Sequence, residues 1–372
     1  MSNISGTLEG GALSGKGFSS LLREGLSAHA LMITLALTYV LALKISGLVN
    51  PSVNDLSGAE AFLGLATFSI PIALLSLTVF LFGHMALVDR PDRPTRELWQ
   101  RLKGVLASPQ RMSRGIPMFV SLLTFMYGFT VFKANITSFI PFALDETLDR
   151  WDAAIHFGYR PWELLQPVLG YPIVTMLLNV NYNAWFFVMN IFWAYHAFLA
   201  KPGVERTRFF LSFILIWSLG GTLAAILTSS AGPCFYGRIG LSPDPYAPLM
   251  AYLNQVHELY PLWAIDTQNM LWDFRSQGSV FGGISAMPSM HNATALLFVL
   301  AAWNKGRLLR GILIAHMLLV FIASVHLGWH YAIDGYAAWP IAAALWWLAG
   351  RIAAWWEDRP HVARFNARVA HV

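Results

Sequence analysis

Charge is what this chain has least of. Only 12% of its 372 residues are Asp, Glu, Lys or Arg, whereas 56% are hydrophobic. Soluble globular domains carry about 25% charged residues, so the composition excludes an ordinary soluble fold. The chain is therefore predicted to be an all-α, polytopic membrane protein, since helices satisfy their backbone hydrogen bonds within lipid.

Cysteine is almost absent as well, with Cys234 as the only one. A single cysteine excludes an intrachain disulfide, a cysteine-based zinc site and an iron–sulfur cluster held by this chain alone. The net charge of +5 would suit a nucleic-acid partner. However, the basic residues lie between apolar segments, which indicates the membrane surface and no nucleic acid.

Long apolar segments, in contrast, are abundant. A helix needs about 20 mostly apolar residues to cross the hydrocarbon core. About eight spans are predicted, of which the sixth is short; they are residues 28–48, 61–88, 115–137, 172–199, 208–228, 290–304, 308–326 and 333–353.

The distribution of basic residues predicts the topology. Most of the 25 Lys and Arg residues fall on alternate connections between spans, which is the positive-inside pattern and places both termini in the cytoplasm. No organelle signal is evident, so a bacterial inner membrane is expected. The predicted parts are a flexible cytoplasmic tail (1–27), a two-helix extension with a basic loop (28–110), a core (111–355) and a basic cytoplasmic tail (356–372).

Two segments on the outer side are unusual. Acidic and apolar residues alternate within residues 142–170, which predicts an amphipathic helix lying along the outer interface. Residues 229–288 form a long external loop, and loops of that length are often lids or binding elements. Asn179, Asn181 and Asn183 in the fourth span either hydrogen-bond to neighbouring helices or contact a substrate.

Two short motifs near the C-terminus place polar residues at the ends of apolar helices. Pro-Ser-Met-His occupies residues 288–291, and His-Tyr-Ala-Ile-Asp occupies residues 330–334. Ionisable residues are costly in a membrane, so these indicate a functional site. The predicted topology brings His291, His330 and Asp334 to the same outer face.

The spacing of these residues suits phosphate-ester cleavage. Asp334 follows His330 by four residues, so on a helix its carboxylate reaches one ring nitrogen and leaves the other as the nucleophile. Ser289 is a candidate N-cap and phosphate ligand, because free N–H groups at a helix start bind anions. His291, in the first turn, can protonate the leaving alkoxide. This chemistry requires neither a metal nor a cofactor.

Both motifs resemble the second and third motifs of the phosphatidic acid phosphatase type 2 superfamily. They are most similar to its inositol phosphorylceramide synthase and sphingomyelin synthase branch, and the resemblance covers about residues 115–353. It implies a six-helix phosphatase-like core in which His330 forms a phosphohistidine, Asp334 orients it and His291 is the general acid. Residues 145–161 also resemble a recurring segment of that branch.

The phosphate-binding residues depart from the family pattern. Ala323 and Ser324 occupy the places where the phosphatases usually have Ser-Arg, and the basic first motif is missing. Arg238, after the fifth span, is the first candidate to replace these cations, and Lys133 is the second. Loss of the third-motif arginine is typical of the phosphotransferase branch.

These features predict an enzyme that cleaves a lipid phosphoester and transfers the phosphoryl group or phospho-headgroup to a hydroxyl acceptor or to water, at the periplasmic face. Alternatives within this chemistry are a prenyl diphosphate phosphatase and a phosphatidate phosphatase. A proton-coupled transporter is the alternative of a different class. His326 and His330, at helical spacing, would bind zinc with His291 only if the site were a metal centre.

Overall fold

The computed structural model describes residues 15–45, 58–279 and 281–370. All regular elements in these ranges are helices, which confirms the predicted all-α class. The first half contains α1 (Gly15–Ala28), α2 (Ala30–Ile45), α3 (Gly58–His84), α4 (Pro94–Leu106), α5 (Pro109–Phe139), α6 (Asp145–Ile155), α7 (Pro161–Leu169) and α8 (Pro172–Ala194). The second half contains α9 (Val204–Leu215), α10 (Ala225–Leu227), α11 (Ala247–Leu259), α12 (Trp263–Ser276), α13 (Met290–Ala301), α14 (Arg307–His326), α15 (Ala332–Glu357) and α16 (Pro360–Val369).

The number of candidate membrane spans depends on how the bent helix pairs are counted. Within the described residues five pass by length and hydropathy, and up to seven if two bent helix pairs each count as one span. The predicted sixth span, α13, has 12 residues. At 1.5 Å per residue it rises about 18 Å, less than the roughly 30 Å hydrocarbon core. The chain is thus a polytopic helical membrane protein, and its described residues contain five to seven candidate spans.

The centre of the bundle is formed by α8, α9, α13, α14 and α15, which pack against one another. Aromatic side chains fill it, and Phe209, Phe213 and Phe298 are fully buried. Polar groups join helices as well: Asn181 contacts His316 of α14 at 3.0 Å, and Asn179 accepts a hydrogen bond from the Ala264 N–H at 3.0 Å. Interhelical hydrogen bonding is therefore the role of these two asparagines.

The N-terminal segment differs from the predicted flexible tail. Residues 1–14 of that tail lie outside the described residues, but α1 covers the rest. Leu21 and Ala28 of α1 are buried against Phe365 of α16. Gly25 lies so close to α5 that an added Cβ would sit 2.2 Å from the Ser113 carbonyl oxygen. The apolar and small residues of this segment recur at helical spacing. This pattern favours a packed helix more strongly than the Gly- and Ser-rich composition favours a flexible tail.

Two arginines predicted at the membrane surface are buried instead. Arg206 is 3% exposed and donates hydrogen bonds to the carbonyl oxygens of His196 (2.7 Å) and Arg114 (2.7 Å) and to Nε2 of His29 (2.8 Å). Arg114 is also buried and donates to the Phe198 carbonyl at 3.1 Å. Carbonyls at the C-terminal end of a helix carry partial negative charge, which stabilises both guanidinium groups.

Arg206 is expected to be a major contributor to stability. Arg206→Gln leaves several buried acceptors without donors, each costing about 1–3 kcal/mol, so the free energy of unfolding should fall by at least about 3 kcal/mol. Thermal unfolding in detergent would measure the loss. Lys201→Gln, at an exposed position between α8 and α9, is the matched control and should unfold like the wild type. Equal melting of both variants would contradict this role.

Candidate active site

Three loops meet at one end of the bundle. The first loop (228–234) follows α10, the second (284–289) precedes α13, and the third (327–331) joins α14 to α15. Backbone hydrogen bonds tie them together: Ala286 N–H donates to the Ser230 carbonyl at 3.0 Å, and Cys234 N–H donates to the Gly328 carbonyl at 2.8 Å. The two histidine motifs, far apart in sequence, therefore share one framework.

The third loop positions His330 through a tight turn. The Ser324 carbonyl accepts from the N–H groups of both Trp329 (2.9 Å) and His330 (3.0 Å). Gly328 has φ +72°, a left-handed conformation that glycine adopts at little cost. This turn reverses the chain after α14 and places His330 directly before α15.

His330 and Asp334 form the expected contact. Nδ1 of His330 lies 3.1 Å from Oδ2 of Asp334, and the same oxygen accepts the Tyr331 N–H at 3.2 Å. Asp334 is fully buried, while His330 is 7% exposed. Because an ionised carboxylate only accepts hydrogen bonds, it favours a proton on Nδ1 and a free lone pair on Nε2. This contact fixes the orientation of the His330 ring, with Nε2 on the side away from the carboxylate.

His291 lies in the first turn of α13, close to His330. The two ring centroids are 6.2 Å apart, so both rings can contact one phosphate group. His291 stacks on Tyr182 at 4.5 Å and packs against Trp185 at 4.2 Å. Ser289 is the N-cap, as predicted, and its fully buried hydroxyl accepts the Asn292 N–H at 3.4 Å. That bond holds Ser289 beneath the start of the helix.

Lys133 reaches this site from α5. Lys133 lies close enough to His291 for its charge to act on that ring. An added Cβ at Gly283, the residue before the second loop, would lie 2.8 Å from the Lys133 Cγ, so the backbone there packs on the lysine side chain. In the described part of the chain, no carboxylate lies within ion-pair distance of Lys133. An ammonium group near His291 that makes no such ion pair is suited to bind a phosphate.

Arg238, the other predicted phosphate ligand, lies elsewhere. Its side chain is exposed, donates to Oδ1 of Asn269 at 2.6 Å and stacks over Trp272 at 5.7 Å. Among the described residues, its hydrogen bond and ring contacts involve neither histidine. Of the two predicted cations, Lys133 is the one whose charge acts on His291.

The predicted amphipathic helix in 142–170 includes α6, whose acidic side faces the protein. Asp145, Asp149 and Asp152 share one helical face by their spacing and are all buried, while Trp151 and Ile155 are 52% exposed. The acidic side faces the protein because it meets backbone donors there. The apolar side faces outward, as suits contact with lipid.

Asp145 joins the first and third loops. Its carboxylate accepts the N–H groups of Ala231 (2.9 Å) and Gly232 (2.8 Å) and the Tyr331 hydroxyl (2.9 Å). Burial raises the pKa of Asp145, and these hydrogen bonds oppose the rise. The neighbouring Asp149 pairs with Arg160 at 2.7 Å and so fixes α6 to the start of α7.

Asp152 holds the start of α15. It accepts the N–H groups of Ala332 (2.7 Å) and Ile333 (2.9 Å), which have no partner within the helix. Burial raises the pKa of Asp152 to about 6, and the charge of nearby Asp334 contributes to the rise. The start of α15, the helix that carries Asp334, is therefore fixed by a residue of a separate helix, α6.

Sequence reasoning did not assign four residues to this site: Asp145, Asp152, Tyr182 and Trp185. The acidic residues were noticed, and their recurrence on one helical face was the available signal, but it was interpreted as an amphipathic helix along the outer interface. Tyr182 and Trp185 are three residues apart on α8, a spacing that any buried aromatic pair shares. Only the tertiary structure shows that they enclose His291.

His326, considered as a zinc ligand together with the two site histidines, turns away from them. Its Nε2 lies 2.9 Å from Oγ1 of Thr175, which also contacts the Tyr252 hydroxyl at 2.7 Å. Among the described residues, no group of three or more His, Cys, Asp or Glu is placed to hold a metal ion.

The raised pKa of Asp152 predicts a pH-dependent effect on stability. The Asp152 carboxyl has a pKa of about 6 in the folded protein and about 4 in the unfolded chain. Its contribution to the free energy of unfolding is therefore greatest below pH 4 and is lost as pH rises through 6. Relative to Asp152→Asn, which does not titrate, the wild type should lose about 3 kcal/mol between pH 4 and pH 7.

Thermal unfolding of both proteins across this range measures the difference, in which titrations common to both cancel. The melting temperature of the Asn variant should rise relative to that of the wild type as pH increases. A constant difference would show that Asp152 does not titrate in this range.

Comparison with known proteins agrees with this geometry. The family model described as the PAP2 superfamily matches residues 146–348, which include Asp152, both histidines and Asp334. No curated protein and no solved structure matches the chain significantly. Membership of this family supports a phosphatase-type lipid phosphoesterase. Since the match covers more than half of the sequence, the chain belongs to the PAP2 superfamily.

Proposed function

We propose that the protein is a membrane enzyme that cleaves a lipid phosphoester through a phosphohistidine at His330. The observation that carries this proposal is the hydrogen bond from His330 to Asp334, which leaves Nε2 free beside His291. A nucleophile, an orienting carboxylate and a second titratable group are the parts that this chemistry needs.

The reaction proceeds in two displacements. In the first, Nε2 of His330 attacks phosphorus, the bond to the leaving oxygen breaks, and His291 donates a proton to that oxygen. In the second, His291 takes a proton from water or a hydroxyl acceptor, whose oxygen attacks phosphorus and breaks the phosphorus–nitrogen bond. His330 and His291 return to their initial states. Asp334 stabilises the positive charge that forms on the His330 ring.

Lys133 is proposed to bind the oxygens of the reacting phosphate. Among the described residues it makes no ion pair, and its charge acts on His291. Ser289 contributes by capping the helix on which His291 lies, so that the free N–H groups of that helix point toward the anion.

The departure from the phosphatase motif supports a transferase of the inositol phosphorylceramide synthase type. Ser324 is 1% exposed and receives the Asn292 side chain at 3.4 Å, so an arginine would not fit there without repacking. The phosphate is therefore held by groups outside the motif loops, and a site so changed can admit a hydroxyl acceptor. Hydrolysis of a prenyl diphosphate or of phosphatidate uses the same first displacement.

The proposed orientation follows the basic residues of the sequence. It puts the histidine site at the periplasmic face of a bacterial inner membrane and both termini in the cytoplasm. An amphiphilic substrate can then place its phosphate at the site while its tails remain in the bilayer.

His330 should carry the covalent phosphate. Incubation with a lipid labelled at phosphorus should give an acid-labile, base-stable label on the wild type, and His330→Ala should lose both the label and at least about 10³-fold in turnover. His291→Gln should lose about 10²–10⁴-fold, as expected for a general acid.

His361→Gln, in α16 far from this site, is the histidine control and should keep wild-type turnover. Normal product formation by His330→Ala would refute the mechanism. Mass spectrometry of the products separates hydrolysis, which releases free phosphate or headgroup, from transfer, which gives a new phosphorylated lipid alcohol.

A matched pair of variants tests which cation binds phosphate. Lys133→Gln removes the ammonium beside the histidines and should lower kcat/KM by about 10²-fold, while Arg238→Gln removes an exposed guanidinium and should change it less than about threefold. Steady-state kinetics on one phosphorylated lipid compares them. The reverse ranking would assign the phosphate to Arg238.

A further inference from the structure

A polar cavity lies beside the proposed site, where the end of α5 meets α12 and the chain that follows it. Its volume is about 260 Å³. The side chains that line it include Ala134, Thr137, Trp272, Arg275, Ser276 and Ser279. None of the mechanistic steps above uses this cavity, although one guanidinium and three hydroxyl groups surround it.

The lining is suited to an anion. No carboxylate lines the cavity, and within the described ranges Arg275 makes no ion pair. Its guanidinium donates a hydrogen bond to Oγ1 of Thr137 and lies over the Phe142 ring at 4.8 Å. These neutral partners fix the plane of the guanidinium without neutralising its charge. Its remaining N–H groups can donate to a ligand, with serine hydroxyls beside them.

The cavity shares a wall with the histidine site. Ala134 of its lining follows Lys133 directly, and Thr137 lies one helical turn further along α5. On the other side Gly283, the residue before the second loop, packs against α5, because an added Cβ there would lie 2.8 Å from the Lys133 backbone carbon. The cavity therefore adjoins the part of α5 that carries Lys133.

We propose that this cavity is a second anion subsite, in which Arg275 binds an anionic group of the lipid substrate beyond the reacting phosphate, as the second phosphate of a lipid diphosphate would be. This assignment rests on the proposed function of the histidine site. A reacting monophosphate occupies the histidines and Lys133. Arg275, in the neighbouring cavity, can contact the substrate only when the polar group of the substrate is longer and more negative.

The test uses two substrates with the same tail, farnesyl monophosphate and farnesyl diphosphate. Arg275→Gln should raise KM and lower kcat/KM about tenfold for the diphosphate, and change kcat/KM less than about twofold for the monophosphate. Thr137→Val keeps the shape of the wall but removes the acceptor of the Arg275 bond, and should give a smaller loss in the same direction. Arg150→Gln, an exposed arginine of α6, is the control and should alter neither substrate.

Binding of inorganic anions provides a measurement that does not depend on turnover. Inorganic diphosphate should raise the melting temperature of the wild type more than inorganic phosphate does, and Arg275→Gln should remove this difference. Equal losses on both lipids, or no loss on either, would overturn the subsite.

The two proposals fail in different ways. If the wild type turned over neither lipid, or if His330→Ala remained active, the proposed function would fail while the anion-binding measurement still tested Arg275. If the diphosphate and phosphate stabilised the wild type equally, the subsite would be overturned whatever the histidines do.

Discussion

The site depends on the hydrogen bonds that backbone N–H groups donate to the acidic face of α6. Asp145 binds the first loop and the Tyr331 hydroxyl, and Asp152 binds the first turn of α15. A buried donor without a partner costs about 1–3 kcal/mol, and four such N–H groups are satisfied here by two side chains. Because burying a carboxylate is itself costly, these contacts add less to stability than to alignment. They set the start of α15, and thereby Asp334, relative to the loop that carries His330.

This arrangement explains how a site assembled from loops remains rigid in a membrane. The apolar face of α6 is exposed, so the helix can rest against lipid while its charged face never meets it. Helices in lipid gain little from burying apolar surface against each other, and hydrogen bonds and close packing must define their positions. Arg206, which binds helix-end carbonyls at the opposite end of the bundle, is the basic counterpart of the acidic contacts around the histidines.

Sequence reasoning predicted the local contacts of the site more fully than the architecture that supports them. Hydropathy and the two motifs predicted the helical class, the pairing of His330 with Asp334 and the capping role of Ser289, because each depends on local spacing. Periodicity did not show that α13 has only 12 residues or that α7 and α8 are bent by 119°. The inward direction of the acidic face of α6 could not be predicted either, because it depends on backbone donors some 80 to 180 residues away in sequence.

The distribution of cations around the site follows from the same tertiary constraint. Ser324 is buried at the motif position where the resemblance leads one to expect arginine, so in the proposed function the positive charge comes from other elements. Lys133 on α5 and Arg275 on α12 are two cations without carboxylate partners in the described part of the chain, and Arg275 lines a cavity bounded by the α5 residues that follow Lys133. If phosphate-binding residues lie on helices outside the motif loops, they can be altered without disturbing the proposed nucleophile and its orienting carboxylate. The identity of the polar group accepted by this protein is therefore expected to depend on α5 and α12, and its bond-breaking chemistry on the loops that α6 holds.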